Sequence, residues 1–245
     1  MASVSVGPYV QAVADEAAAS FQGASGATHE AARSAATSAV EVALLDAYRF
    51  LRLVIGTIAL LLPLVVALGD WRSIRESISS YYYGRTGNYF VGSLCALGVF
   101  FLSYNYAKIR AVKTDYWMSK AAFVLAIGVA LFPTSSEGSV AKGGSLAVSR
   151  IHVTCAALLF VLLAVFALYE FPKASVALVG GPKKPLRNKI YRTCGIVILA
   201  CVLGILGCNI ADVNGTAVFW LESAAVWAFG TSWLVKSGYI RVLVQ

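Results

Sequence analysis

The residue that says most about function is Glu222, an acidic side chain in the middle of an apolar run. It lies within 219–227, where Phe, Trp, Leu, Ala and Val are its neighbours. No other acidic residue of the chain lies so far inside an apolar run. A carboxylate in membrane hydrocarbon costs about 2.5–3.5 kcal/mol on insertion scales, so it is usually kept for a role. Two interpretations stay open: a structural hydrogen bond within a helix bundle, or a ligand or proton role, with His152 as the expected hydrogen-bond partner.

Other polar residues fall at the same ends of the apolar runs as Glu222. A loop near residues 70–86 is rich in Arg, Ser and Tyr, one histidine begins the fourth run, and one aspartate follows the fifth. The planar forks of arginine suit phosphate or carboxylate headgroups. The alternative is that these arginines pair with Asp70 and Glu76, and that the histidine only makes a helix-end hydrogen bond. The candidate ligand-binding residues are Arg72, Arg75, Arg85, Ser79, His152, Asp212 and Glu222.

Several function classes are excluded by what the sequence lacks. With only His29 and His152, the chain can supply neither a bis-histidine haem within the spans nor a three-histidine zinc site. The five cysteines form no CxxC pair, and the phosphate-binding glycine motifs are missing. We therefore expect no metal and no cofactor. The net charge of +8 comes from Lys and Arg in short loops between apolar runs, which indicates contact with lipid headgroups and no nucleic acid.

Composition predicts an integral membrane protein. Hydrophobic residues make up 59% of the chain and charged residues only 13%, whereas soluble domains carry about 25% charged residues. Apolar runs long enough to cross about 30 Å of hydrocarbon must be helices, because the backbone has no water to bond there. The predicted fold is all-α: a six-transmembrane-helix bundle with a helical N-terminal extension. The expected spans are 50–69, 88–107, 117–134, 147–169, 192–210 and 216–236.

The basic residues predict the orientation of these spans. Most of the 20 Lys and Arg residues fall on the side that carries both termini, and the 180–192 segment is especially basic. Cytoplasmic loops are rich in Lys and Arg, so both termini are expected in the cytoplasm. Which membrane holds the protein does not follow. The basic residues expected on the other side are only Arg72, Arg75, Arg85, Lys142 and Arg150.

Residues 1–47 are expected to form a separate Ala-rich cytoplasmic segment ahead of a transmembrane domain over 48–245. Helices over 9–21 and 28–47 are predicted, with breakers at 7–8 and 23–26. The segment is net acidic, so charge does not draw it to an anionic membrane. It is interpreted either as a helix packed on the bundle or as a docking element for a protein partner.

Three short stretches are similar to a known family. Ser77-Ile78-Ser79-Ser80 is similar to an Ile-Ser-Asp segment, without its Asp, and Arg150-Ile151-His152-Val153 is similar to a helix-head histidine. Glu222 is similar to an acidic residue next to an aromatic. With six spans, the layout resembles the DRAM-like family, which includes damage-regulated autophagy modulators and a Golgi protein of GPI-anchor remodelling. The stretches 187–195 and 228–236 also resemble uncharacterised bacterial membrane proteins. The resemblance implies a role around membrane lipids.

These observations favour a protein that binds or senses a lipid or small amphiphile at the non-cytoplasmic leaflet. Membrane lipids are the expected partners. One alternative is an accessory subunit of a larger membrane complex, docked through the N-terminal segment. A second is a membrane-embedded lipid hydrolase using His152 and a loop serine such as Ser79, and it would need a serine within hydrogen-bond reach of that histidine.

Overall fold

The computed structural model describes residues 26–70, 74–103, 113–134, 146–173, 183–213 and 215–240, with the single positions 12, 15, 16 and 19. Most of these residues are helical, and none of them lies in a strand. A 3₁₀ helix, Ser79–Tyr83, lies in the loop after the first helix, and the fourth helix continues through a π-helical turn, Phe166–Glu170, into Phe171–Lys173. The six long helices are α1 (Gly26–Gly69), α2 (Gly87–Ser103), α3 (Lys113–Leu131), α4 (Leu146–Val165), α5 (Lys184–Ile210) and α6 (Ala217–Ser237).

Four of the helices are long and apolar enough to cross a membrane. The qualifying segments are Asp46–Gly69, Leu146–Glu170, Lys184–Ile210 and Ala217–Ser237. The apolar parts of α2 and α3, Gly87–Ser103 and Tyr116–Leu131, are shorter. The 17 residues of α2 correspond to about 25 Å, somewhat less than the hydrocarbon layer. The all-α prediction is confirmed, and four of the six expected spans meet the length of a membrane-crossing helix.

The six helices form a closed ring in chain order. Each packs against the next, and α6 returns to pack along α1. Consecutive helices run in opposite directions. We call the end at which α1 finishes and α2 begins the upper end, and the opposite end the lower end. Glu222 and His152, in α6 and α4, lie toward the upper end.

The contact between α1 and α6 depends on two glycines. A Cβ on Gly56 would lie 2.9 Å from the Gly230 carbonyl oxygen, and a Cβ on Gly230 would lie 2.9 Å from the Gly56 carbonyl oxygen. Only glycine allows two helix backbones to approach this closely, as in other membrane helix pairs. One turn away, the Trp227 Nε1–H donates to the Leu60 carbonyl at 3.1 Å. The glycine pair and this bond fix the register of the two helices.

The lower half of the ring is filled by aromatic side chains. The Trp233 ring is fully buried, with the rings of Phe101, Phe171 and Phe229 at centroid distances of 5.8, 5.2 and 5.9 Å. Below this cluster the buried Lys236 donates from Nζ to the Phe171 carbonyl at 2.7 Å, where α4 leaves its π-helical turn. A π-helical turn disturbs the regular backbone pairing, and Lys236 supplies a donor at that point.

The N-terminal extension and the first span are one helix. The predicted helices 28–47 and 50–69 are joined in α1, because no Gly or Pro interrupts residues 27–55. Positions 12, 15, 16 and 19 are also helical, and the Asp15 carboxylate pairs with Arg33 at 2.6 Å. An earlier helical segment therefore lies beside the start of α1. The remaining positions of 1–25, with much of the predicted 9–21 helix, lie outside the described residues.

Candidate functional site

A groove of about 590 Å³ opens at the upper end between α4, α5 and α6. Its polar part is formed by the upper ends of these helices and by the loop between α1 and α2, and it contains His152, Asn209 and Glu222. Its deeper wall is apolar, with Ala157 and Phe160 from α4 facing Val202, Ile205 and Leu206 from α5. The groove is thus polar at the top and apolar below.

The groove exists because α4 and α5 are close only in their lower halves. There, a Cβ on Gly195 would lie 3.2 Å from the Ala164 carbonyl oxygen, so the two helices nearly touch. Two turns higher, α5 carries Val202, Ile205 and Leu206 toward the gap. Large branched side chains hold helices farther apart than glycine does. The resulting opening faces sideways, between two helices that are both long enough to cross a membrane.

Glu222 connects α6 to the loop between α1 and α2. Its Oε2 accepts a hydrogen bond from the Ile78 N–H at 2.6 Å, just before the 3₁₀ helix. A second bond runs from the Phe219 N–H in the first turn of α6 to the Glu76 carbonyl at 2.8 Å. Tyr81 of the same loop is fully buried, with its ring 5.9 Å from that of Phe219. The loop therefore folds into the top of the ring and is held there by the carboxylate.

His152 is buried at the groove with one nitrogen bonded and one without a partner. Its Nδ1 lies 2.6 Å from the Phe132 carbonyl, and the side chain is 2% exposed. Its Nε2 has no hydrogen-bond partner among the described residues. The expected bond between Glu222 and His152 is therefore wrong. Each side chain bonds a main-chain group at the end of a neighbouring helix or loop, because those groups lie closer.

Arg75 is held by an ion pair. Its Nη2 and Nε donate to Asp70 Oδ2 at 2.8 and 3.0 Å, and its Nη1 donates to the Ser80 carbonyl at 3.4 Å. The guanidinium carbon lies 5.5 Å from the centre of the Tyr81 ring. Of the two interpretations offered by the sequence, ion pairing describes Arg75, although this residue also lines the groove.

The other predicted site residues divide between the groove and the surface. Ser79 is buried and lines the groove. Arg85 and Asp212 are exposed, and neither is among the described residues that line the groove. Asp212 has a positive φ of 50° and shapes the turn between α5 and α6. Arg72 lies outside the described residues. The structure thus brings together Arg75, Ser79, His152 and Glu222.

The loop serines mostly satisfy one another. Ser77 Oγ and Ser80 Oγ lie 2.7 Å apart, and each accepts a hydrogen bond from the other residue's main-chain N–H. Within the described chain, no serine hydroxyl bonds to His152. A serine hydrolase needs a base within hydrogen-bond reach of its nucleophile. The described residues contain no such contact between a serine and His152, so they give no support to the hydrolase alternative.

A small apolar cavity lies behind the groove, in the centre of the ring. Its volume is about 70 Å³, and its floor includes Phe101 and Phe229. Four residues line both spaces, so the groove wall is also the wall of the cavity; they are Ser79, Ala156, Phe160 and Glu222.

Sequence reasoning placed Asn209 at the same end as the other polar residues but not among the candidate ligand-binding residues, and it did not identify Ile78 as the partner of Glu222. The loop is otherwise polar but contains Ile78 and Tyr81–Tyr83. These apolar and aromatic residues were the feature of the sequence that could have indicated a buried loop. Among the described residues, no group of three or more His, Cys, Asp or Glu side chains could hold a metal ion.

Comparisons with protein-family models, with curated proteins and with solved structures gave no match. The resemblance to the DRAM-like family stays a prediction.

Proposed function

We propose that this chain is a six-span membrane protein that binds or senses a lipid or small amphiphile at the non-cytoplasmic leaflet, in the groove between α4, α5 and α6. The observation that carries this proposal is the groove itself. It is polar at the top, apolar below and open sideways between two membrane-length helices. An amphiphile in a leaflet has the same arrangement, with its headgroup at the surface and its chain in the hydrocarbon.

The six-span arrangement is supported by the ring. Because α2 packs on α1, and α3 packs on both α2 and α4, these shorter apolar helices lie side by side with longer ones that have membrane-crossing length. Placing α1 and α4 across a bilayer carries α2 and α3 into it as well. The lower end of the ring, which carries Lys183, Lys184 and Arg187, is then cytoplasmic because Lys and Arg favour that side.

The test uses two matched tryptophan variants in lipid nanodiscs. Ala157 lines the groove on α4, whereas Ala200 is exposed on α5 away from it. Ala157→Trp is expected to lower the amount of bound amphiphile, measured by native mass spectrometry after gentle extraction, because the indole fills the groove. Ala200→Trp is expected to leave it unchanged. Equal occupancy in both variants and the native protein would contradict the proposal.

A second candidate function is favoured by one observation. The first 20 residues of α1 precede its apolar span, so the helix extends roughly 30 Å beyond it. Val42 on this extension is 58% exposed. This extension would suit an accessory subunit that docks a protein partner. Deleting residues 1–25 and shortening the exposed part of α1 should then release a co-migrating partner in native gels, while the lipid content of the protein stays the same.

A further inference from the structure

We infer that the headgroup accepted by the groove donates hydrogen bonds and carries no negative charge, as a hydroxyl or an ammonium group does. This inference rests on the proposed function and names the chemical class of its ligand. It departs from the anionic headgroup that the loop arginines would favour by sequence.

The first support is the unpartnered nitrogen of His152. The Phe132 carbonyl can only accept, so the 2.6 Å contact requires the hydrogen on Nδ1. In the neutral imidazole the other nitrogen is then an acceptor. Nε2 is enclosed and has no partner among the described residues. A buried acceptor of this kind is satisfied by an O–H or N–H group on a ligand.

Two neighbouring side chains add acceptors at the same end of the groove. Asn209 Nδ2 donates to the Ile205 carbonyl at 2.8 Å, and its amide oxygen is an acceptor that it can offer to a ligand. Glu222 uses one carboxylate oxygen for the Ile78 N–H. The Ser79 N–H lies beside the same carboxylate, and Glu222 is part of the groove wall.

Among the described lining residues, the one positively charged side chain is already paired. Arg75 is bonded to Asp70 and to the Ser80 carbonyl. The Ser77 and Ser80 hydroxyls bond each other. Both Glu76 and Glu222 contribute carboxylates to the lining. An anionic headgroup would lie near these carboxylates, and the described lining residues offer no unpaired cation to attract it. The free-energy cost of removing the headgroup from water would therefore not be offset.

An aliphatic chain can lie along the apolar wall. From Val153 to Phe160 the groove follows α4 for about 10 Å. The suitable probes therefore have one chain of equal length and differ only in the headgroup: a monoacylglycerol with hydroxyls, a primary alkylamine with an ammonium group, and a fatty acid with a carboxylate.

The experiment measures the affinity of each probe for the full chain in nanodiscs of uncharged lipid at pH 8, by competition in native mass spectrometry. We expect the monoacylglycerol or the alkylamine to bind about tenfold more tightly than the fatty acid, the effect of one satisfied hydrogen bond. A tighter monoacylglycerol identifies a hydroxyl headgroup, and a tighter alkylamine identifies an ammonium group facing Glu222. Fatty acid binding equal to or tighter than both others overturns the inference.

Variants separate this inference from the proposed function. Asn209→Leu, on an exposed position, and His152→Phe should each reduce the ratio of donor-headgroup affinity to fatty acid affinity. If either variant fails to fold, the other still gives the test, and an unchanged preference in a folded variant counts against the inference. If Ala157→Trp affects the binding of none of the three probes, the proposed function itself fails.

Discussion

The Glu222 carboxylate in α6 accepts a hydrogen bond from the Ile78 N–H at 2.6 Å, across 144 positions of sequence. This bond gives the acidic residue of an apolar helix a structural role, which is to hold the loop between α1 and α2 in the top of the ring. The same side chain lines the groove. One residue therefore takes part in both the position of the loop and the shape of the groove.

Replacing Glu222 should separate its acceptor role from its charge. Glu222→Gln keeps an acceptor oxygen for the Ile78 N–H, so we expect a loss of about 1 kcal/mol or less. Glu222→Leu leaves that N–H unpaired in a buried place and should cost about 1–3 kcal/mol. Thermal unfolding in detergent is expected to rank the native protein and Gln together, with Leu clearly lower. Equal damage from Gln and Leu would mean that the charge itself is needed.

The ion pair between Arg75 and Asp70 should be energetically coupled. Both side chains are partly buried, at 32% and 18% exposure. We therefore expect a coupling energy of about 1 kcal/mol, which is near the top of the range for surface ion pairs. A double-mutant cycle with Arg75→Ala and Asp70→Ala, read by thermal unfolding, measures it.

Arg75→Ala is also expected to leave the amount of co-purifying anionic lipid unchanged, because the guanidinium is already paired with Asp70. Native mass spectrometry of the variant beside the native protein checks this. A clear drop in the amount of anionic lipid would instead indicate that Arg75 binds a lipid headgroup.

The close approach of α1 and α6 predicts a strong effect at Gly230. Gly230→Ala places a methyl group 2.9 Å from the Gly56 carbonyl oxygen, and the two helices must separate. Overpacking of this kind costs about 1–3 kcal/mol. Gly207→Ala is the matched control, since nothing lies within 4 Å of its Cβ position. If the two variants unfold at the same temperature, the glycine contact does not determine the packing.

Lys236 should stabilise the lower end of α4. Lys236→Met keeps an unbranched side chain of similar length but removes the donor to the Phe171 carbonyl. An unpaired buried carbonyl costs about 1–3 kcal/mol. Reduced thermal stability, together with faster amide hydrogen exchange around 166–173, is the expected result. Slower or unchanged exchange in that segment would show that the π-helical turn does not need the lysine.

The orientation can be tested by labelling. In a background without the five native cysteines, single cysteines at positions 140 and 180 are expected to react from opposite sides of the membrane, with 180 on the cytoplasmic side. An impermeant thiol reagent on intact cells or oriented vesicles provides the measurement. Reaction of both positions from one side would rule out the proposed topology.

The sequence by itself determined the helices. Apolar runs such as 216–236 must be helical in hydrocarbon, because each backbone group has to be bonded within its own segment, and the structure has α6 at Ala217–Ser237. Pro133 likewise marks the end of α3, which finishes at Leu131. The sequence also gathered His152, Ser79 and Glu222 at one end, because short loops force neighbouring helices to alternate in direction.

Only the tertiary structure decided which groups those residues bond. Glu222 bonds Ile78, and His152 bonds the Phe132 carbonyl, because a folded loop and a helix end come within 3 Å of them. Arg75 forms an ion pair with Asp70 for the same reason. Such pairings depend on separations of a few ångströms between distant segments. Glycine contacts at Gly56 with Gly230 and at Gly195 bring helices close together, and Val202, Ile205 and Leu206 line the groove where α4 and α5 lie farther apart.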